Sequence, residues 1–443
     1  MACTTTLSKS HMELLEKMQN SPSLQMNEVL TSKAKHEIFE GVLSALSKKF
    51  YKPELLENGW HEAVAIHRAT IEGALTLDEF EQAVTALLQN LKTSHVGFFH
   101  QSARRASSRA ALSATYLADE TAHGHRWIFQ DVHEGGAAAL AGIQPGDVLL
   151  RLDDKDIIPP EHPVFPMGTT SKLDIFANDD SERTVAVDVS KPKGKKLHFV
   201  EPTLVQSKIV GHEIGYLKVA MFPGMIGVDV ANELSKAIVG LGRIKGLIID
   251  LRGNTGGGAG ALRLMSLLTP EKIPVGFAPG KRWVGRDLDK EKLAFPRFGS
   301  IPSSKKALWL LALRYLPSLI TKSPIVLESE GHGPRSYQGN VVLLVDRHTA
   351  SAAEMVTIFA KENRLATIVG EKTAGRLLSA TSVKVGHGFR LALPTGAYYT
   401  WNGTPLEGNP IEPDVVIEFD WQDRRRGNDR QFDTALKTLS ADG

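Results

Sequence analysis

The sequence predicts an α/β protein, with a helical segment and a β-rich segment ahead of its layered core, and three observations carry that prediction. Two apolar runs, residues 247–251, broken only by Asp250, and 341–345, have the look of parallel strands covered on both faces, and each leads through a short loop into a helix. A further strand at 214–219 followed by a helix at 228–241 repeats the strand–helix unit, which is the signature of layered α/β architecture. Upstream, Ile38, Val42, Leu43 and Leu46, and again Phe80, Val84, Leu87, Leu88 and Leu91, recur at three- and four-residue steps, so this region is helical.

Taken in order, residues 1–26 are polar and Ser/Thr-rich and are expected to form a flexible tail. Residues 27–105 form the helical domain, broken at Gly59 and Gly73, with Thr76 and Glu79 opening its last helix as a capping signature. Residues 101–109 are polar and basic and read as a solvated linker. A β-rich domain follows over 106–192, and the basic stretch 191–196 reads as a hinge into the layered α/β domain at 193–443. Within the latter, 277–337 is an insertion with a strongly apolar segment at 307–316. That segment is expected to be a lid or partner-facing helix, with a core helix or an interfacial membrane helix as the alternatives. Beyond it, 382–385 and 389–393 flank a turn as a hairpin, 420–430 reads as a solvated helix start, and 432–439 as a docked helix.

Composition bounds the function classes. The chain has 443 residues, 42% hydrophobic and 23% charged with a net charge of +2, which suits a globular chain of several domains and points to no nucleic acid or other polyanion. Cys3 is the sole cysteine, so no disulfide forms within the chain. The first residues lack the apolar core of a secretory signal and no run reaches membrane-spanning length, so the expectation is a cytoplasmic protein without stable membrane insertion. His123 and His125 lack a third ligand nearby, and no metal or cofactor is implied.

The chemistry gathers where apolar strands end. Ser351 sits where strand 341–345 turns into a helix, and the first N–H groups of a helix are unpartnered and positive in potential. A nucleophile there would have an oxyanion site beside it. Ser351-Ala352-Ala353-Glu354 is equally a capping box, and on these residues alone both readings stand. The glycine loop at 253–258 brings backbone close to a ligand. Its Gly256-x-Gly258-x-x-Ala261 fits a loose dinucleotide pattern, but no ribose acid and no Gly-Lys-Ser/Thr ending accompany it.

Four blocks then carry a resemblance. Asp250-Leu251-Arg252-Gly253-Asn254-Thr255-Gly256-Gly257, Thr349-Ala350-Ser351-Ala352-Ala353-Glu354, Gly370-Glu371-Lys372-Thr373-Ala374-Gly375 and Gly408-Asn409-Pro410-Ile411-Glu412-Pro413-Asp414 resemble, in order and spacing, the carboxy-terminal processing and tricorn-core proteases of the S41-type serine peptidases. Residues 134–154, with a short helix, Gly142, a Pro145-Gly146 turn and a strand, look like the centre of a PDZ domain, a module that captures extended chains at a sheet edge. The resemblance implies a crotonase-like spiral core, polypeptide substrates and no cofactor, and it leaves room for a homo-oligomer.

One departure matters. Processing proteases carry a lysine general base directly after the Thr-x-Gly triplet, and here that residue is Arg376, whose guanidinium stays protonated. The tricorn-like pattern supplies another set. By that resemblance Ser351 is the nucleophile, His95 its base, and Glu407 acts with Ser94 to orient the imidazole. Backbone N–H groups of Gly256 or Gly257 and of Ala352 would form the oxyanion hole, and Arg376 would meet a substrate carboxylate or hold a loop. The expected function is a serine-type peptidase acting on unstructured or carboxy-terminal segments. The alternatives are an inactive PDZ-containing peptide-binding scaffold and, on the crotonase-like fold, an acyl-CoA enzyme.

Overall fold

The architecture comes from a computed structural model, which describes residues 30–57, 59–100, 105–189, 202–211, 213–224, 226–285, 295–302, 304, 307 and 324–441. The expected tail at 1–26, the hinge at 191–196 and all but the first residue of the apolar segment 307–316 lie outside the described residues.

Helices α1 (Ser32–Lys49), α2 (Trp60–Gly73) and α3 (Leu77–Gln89) form where the helical periodicity lies. Thr76 caps α3 by accepting the Glu79 N–H at 3.2 Å, and the Glu79 carboxylate in turn accepts the Leu75 N–H at 2.7 Å. The apolar faces of these helices do not close on themselves. Ile38, Val42, Phe80, Val84 and Leu87 pack into one cluster with Val385, Phe389, Leu391 and Leu393 from the far end of the chain. There β1 (Gly97–His100) pairs antiparallel with the later hairpin, so the helical segment and that hairpin share a single core.

The next unit opens with β2 (Arg105–Ser107) and α4 (Ser108–Leu112). Its sheet places β3 (Ala114–Thr121), β4 (Gly124–Val132), β5 (Val148–Leu152), β7 (Thr170–Phe176) and β8 (Glu182–Asp188) in spatial order, while β6 (Val164–Pro166) pairs with β2. The short helix α5 (Ala137–Leu140), the turn and β5 fall where the sequence predicts them. The solvated linker does not survive in its described part: 105–107 is a paired strand, and the Arg109 guanidinium reaches out of the unit to donate to the Ala220 carbonyl at 2.9 Å. Positive charge at that position reads as solvent-facing only when the neighbouring carbonyl is unknown.

The core sheet runs β9 (Val205–Val210), β10 (Ile214–Val219), β11 (Gly246–Asp250), β14 (Asn340–Val345), β15 (Thr367–Gly370) and β19 (Val415–Val416), parallel except for β9. Alternation along the strands explains why they are apolar throughout. Leu247, Ile249, Val341, Leu343 and Val345 face one cluster with α6 (Val228–Leu241), α7 (Ala261–Leu267) and α8 (Ala352–Glu362). Ile248, Val342 and Leu344 face another, closed by Ala435 and Leu439. Each face needs its own apolar set when helices cover both sides. The insertion at 277–337 begins within β12 (Pro274–Ala278) and contributes β13 (Ile325–Glu328), and the two strands pair antiparallel.

After the core come the hairpin strands β16 (Leu378–Gly386) and β17 (Phe389–Ala397), longer than predicted, then β18 (Tyr399–Thr400), α9 (Trp421–Arg425) and α10 (Arg430–Ala441). The stretch expected to be solvated at 420–430 is anchored instead. Asp420 caps α9, and Arg425 stacks 4.4 Å from the Phe176 ring centroid and donates to the Phe176 carbonyl at 3.2 Å and to Asp180 at 2.7 Å. The observed architecture is the mixed α/β class that the sequence predicts.

Candidate active site

The carboxyl ends of β11 and β14 lie side by side, with Asp250 in register with Leu344, so the loops leaving them are neighbours. Crevices beyond the carboxyl ends of parallel strands are where open α/β sheets bind ligands. The loop after β11 is the glycine loop and the loop after β14 delivers Ser351. They are tied together by the Ala350 N–H, which donates to the Asn254 carbonyl at 3.0 Å.

Ser351 holds φ 55° and ψ −121°, a conformation that costs a residue with a side chain on the order of 1–3 kcal/mol. Its N–H donates to the Arg376 carbonyl at 3.0 Å and to the Glu354 carboxylate at 3.1 Å, which is one half of the expected capping box. Glu354 does more than cap. It is fully buried and also accepts the Thr373 hydroxyl at 2.6 Å, the Gly375 N–H at 2.7 Å and the Arg376 N–H at 2.9 Å. Burial pushes its pKa up while these donors pull it down. One side chain therefore joins the turn at Ser351 to the loop at 373–376. The S-x-x-E signature disclosed the cap and nothing of the second task.

The glycine loop closes against this turn. At Gly256, with φ +91°, an added Cβ would lie 2.6 Å from the Ser351 Cβ and 2.7 Å from the Ala352 nitrogen. Gly256 is thus the contact that puts backbone beside Ser351, but it does not offer its N–H to the site, because that group donates to the Asn254 side chain at 2.8 Å. This corrects the expectation that either Gly256 or Gly257 would serve. Gly257 bridges to Phe222 through bonds that use the Gly256 carbonyl and the Gly258 N–H, at 3.0 and 2.8 Å. The Gly257 and Ala352 N–H groups donate to no acceptor among the described residues.

Ser94, His95 and Glu407 come together as a group. The Ser94 hydroxyl donates to Glu407 Oε2 at 2.7 Å and lies 2.6 Å from His95 Nδ1. A carboxylate only accepts, so the single hydroxyl proton of Ser94 goes to Glu407 and the Ser94 oxygen accepts from His95 Nδ1–H. That assigns the tautomer of His95 with Nε2 free of a proton. Glu407 further accepts the Ser94 N–H at 2.7 Å, the Thr93 hydroxyl at 3.2 Å and the Leu377 N–H at 3.1 Å. Protein packed against the His95 ring lowers its pKa, Glu407 opposes this, and the Arg376 charge lowers it further.

The two groups meet on one short segment. Arg376 accepts from the Ser351 N–H through its carbonyl, and the next residue, Leu377, donates to Glu407. Gly408 N–H also donates to the Gly375 carbonyl at 2.9 Å. The exposed Arg376 guanidinium has no ion pair among the described residues, yet its charge is felt at His95. No metal-binding cluster of His, Cys, Asp and Glu occurs among the described residues.

Residues 213–417 match the sequence model of peptidase family S41. Among curated relatives, the carboxy-terminal-processing protease of Bartonella bacilliformis is 25% identical over 302 residues, covering 66% of this chain and 58% of that protein. The tricorn protease homolog 2 of Streptomyces coelicolor is 24% identical over 408 residues, covering 85% of this chain and 30% of that protein. The chain therefore spans less than two thirds of the length of these relatives. Among solved structures, the photosystem II D1 C-terminal processing protease superposes with a TM-score of 0.54 at 16% identity, over 88% of this chain and 94% of that one, a likeness of fold. By the match over residues 213–417 and the curated relatives that accompany it, the chain is similar to the proteases of peptidase family S41.

Proposed function

We propose that the protein is a serine peptidase that hydrolyses polypeptides through Ser351, with His95 as general base and Glu407 and Ser94 orienting the imidazole. The observation that carries this reading is the Ser94 bridge between His95 Nδ1 and Glu407, in a chain whose family lysine is replaced by Arg376. A base poised by a carboxylate through a hydroxyl does the work that a guanidinium cannot do.

In this scheme His95 Nε2 takes the Ser351 hydroxyl proton as Oγ bonds to the scissile carbonyl carbon. The carbonyl oxygen becomes an oxyanion facing the N–H groups of Gly257 and Ala352. The same imidazole then gives its proton to the departing amine, and water, deprotonated by His95 in turn, releases the acyl group. Residues 106–192, PDZ-like in sequence, would present an extended chain to this centre. Similarity to carboxy-terminal processing proteases favours carboxy-terminal segments of polypeptides as substrates, and unstructured segments are the class this reading adds.

The test is cleavage of a pool of unstructured peptides, read by mass spectrometry, for wild type, Ser351→Ala and His95→Ala. Cleavage by wild type that is lost in both variants supports the reading. A wild type that binds peptides and cuts none would make the chain a peptide-binding scaffold.

A further inference from the structure

The glycine loop that stands beside Ser351 is not held by the core sheet alone. At its start, His133 Nε2 lies 3.3 Å from the Gly253 carbonyl, and the Gly253 N–H donates to Asp346 at 3.0 Å. Asp131, two residues before His133 at the end of β4, packs so closely that a Cβ on Gly253 would sit 2.8 Å from its carboxyl carbon. At the other end, Arg109 holds the Ala220 carbonyl at 2.9 Å. Two residues on, Phe222 makes both bonds that fix Gly256 and Gly258. Side chains of the unit that spans 105–189 thus meet the start of the loop directly, at Gly253, and reach its other end indirectly, through the Ala220–Phe222 backbone.

We propose that His133 and Arg109 are positioning residues that hold the 253–258 loop so that the Gly257 N–H faces the oxyanion formed at Ser351. The inference rests on the reading of Ser351 as the nucleophile. Its physical basis is that donors in an oxyanion hole act through fixed placement, and a displacement of about 1 Å is enough to cost on the order of a hundredfold in rate.

His133 is built for this task in one state only. It is 2% exposed, and its backbone N–H donates to the Ser113 carbonyl at 3.0 Å, which fixes the ring's root. Burial pushes its pKa down to about 3, so the ring is neutral and Nε2 carries the proton that the Gly253 carbonyl accepts. An apolar side chain would leave that carbonyl buried and unpaired, whereas a glutamine amide reaches it with an N–H of its own.

The experiment compares wild type with His133→Leu, His133→Gln, Arg109→Met and Arg109→Lys. A fluorophosphonate titration counts reactive serines, so each rate is expressed per intact site, and affinity for a peptide aldehyde reports how well an oxyanion is held. His133→Leu and Arg109→Met should lose about ten- to a hundredfold in kcat per titrated site, with KM within about twofold, and weaken aldehyde binding by a similar factor. His133→Gln should recover most of the loss.

An unchanged kcat per titrated site in the Leu and Met variants would overturn the proposal. So would equal losses in His133→Leu and His133→Gln with aldehyde affinity retained, since both would then reflect packing alone. If His133→Leu does not fold, Arg109→Met against Arg109→Lys carries the same comparison. A wild type that neither reacts with the fluorophosphonate nor cleaves peptides overturns the nucleophile reading itself, which is a separate result.

Discussion

Ser94 donates its hydroxyl proton to Glu407 at 2.7 Å across 313 residues of sequence, and the same oxygen meets His95 Nδ1 at 2.6 Å. Because the serine has a single proton to give, the direction of the whole relay is set by the charge on Glu407. Replacing Glu407 with glutamine removes that charge and turns an amide N–H toward donors that now face a carboxylate oxygen, either Ser94 Oγ and Leu377 N or Ser94 N and Thr93 Oγ1. Glu407→Gln is expected to lower kcat about a hundredfold with little change in KM. Steady-state kinetics on a cleaved peptide checks this, and a loss under about threefold would remove Glu407 from the relay.

Arg376 supplies a second prediction through charge. Packing around the His95 ring lowers its pKa and the Arg376 charge adds to that effect. A base must be neutral to act, so kcat/KM should rise with pH through a midpoint below that of an ordinary imidazole, about 6.5. Arg376→Gln removes a positive charge, makes protonation of His95 easier and should move that midpoint upward, whereas Arg376→Lys should leave it near the wild-type value. pH–rate profiles of the three proteins decide the matter.

Gly256 offers a steric test. With φ +91° and no space between its Cα and the Ser351–Ala352 backbone, it tolerates no side chain. Gly256→Ala should abolish measurable peptide cleavage by pushing the glycine loop off the serine, with a drop of several degrees in Tm. Scanning calorimetry and labelling of Ser351 by a fluorophosphonate separate the two effects. Full activity in this variant would mean that the two loops are farther apart in solution.

His133 predicts how stability depends on acid. Its pKa falls from 6.5 to about 3 on folding, so between these values the unfolded chain binds a proton that the folded chain refuses. Stability contributed by His133 is complete above 6.5 and is lost as pH falls toward 3, at about 1.4 kcal/mol per pH unit within that window. The difference in unfolding free energy between wild type and His133→Gln should therefore shrink as the pH is lowered from 6.5 to 4. A difference that stays constant would show that the ring is not held neutral.

Legibility of the sequence followed the range of each signal. The strand at 341–345, the turn and the helix after Ser351 were readable because an apolar run and an S-x-x-E pair act over a few residues. The relay was readable only through family resemblance. Glu407 lies in a Gly/Pro-rich turn, and the donors that orient it come from residues 93, 94 and 377, so no local pattern announces them. The Gly256 error had a local cause, since Asn254 folds back on the backbone two residues on and uses the N–H in question. Arg109 read as part of a basic linker, and nothing in the sequence singled out His133. What gives each of them its partner is a backbone carbonyl, and carbonyls carry no sequence mark.

The helices of 32–89 share their apolar cluster with the hairpin strands of 378–397, and this has a consequence for the order in which the molecule becomes chemically competent. His95 is made 312 residues before Glu407 (407 − 95), and the strands that complete the surroundings of both also come after it. Closing a loop of that length adds only a slowly growing entropic cost once both ends exist, but the two ends must exist. A chain leaving the ribosome therefore carries Ser94 and His95 long before the carboxylate that orients them. On the proposed reading, the imidazole acquires its direction only when residues 378–407 fold back onto the helices of 32–89, so the relay is assembled after both segments have been made.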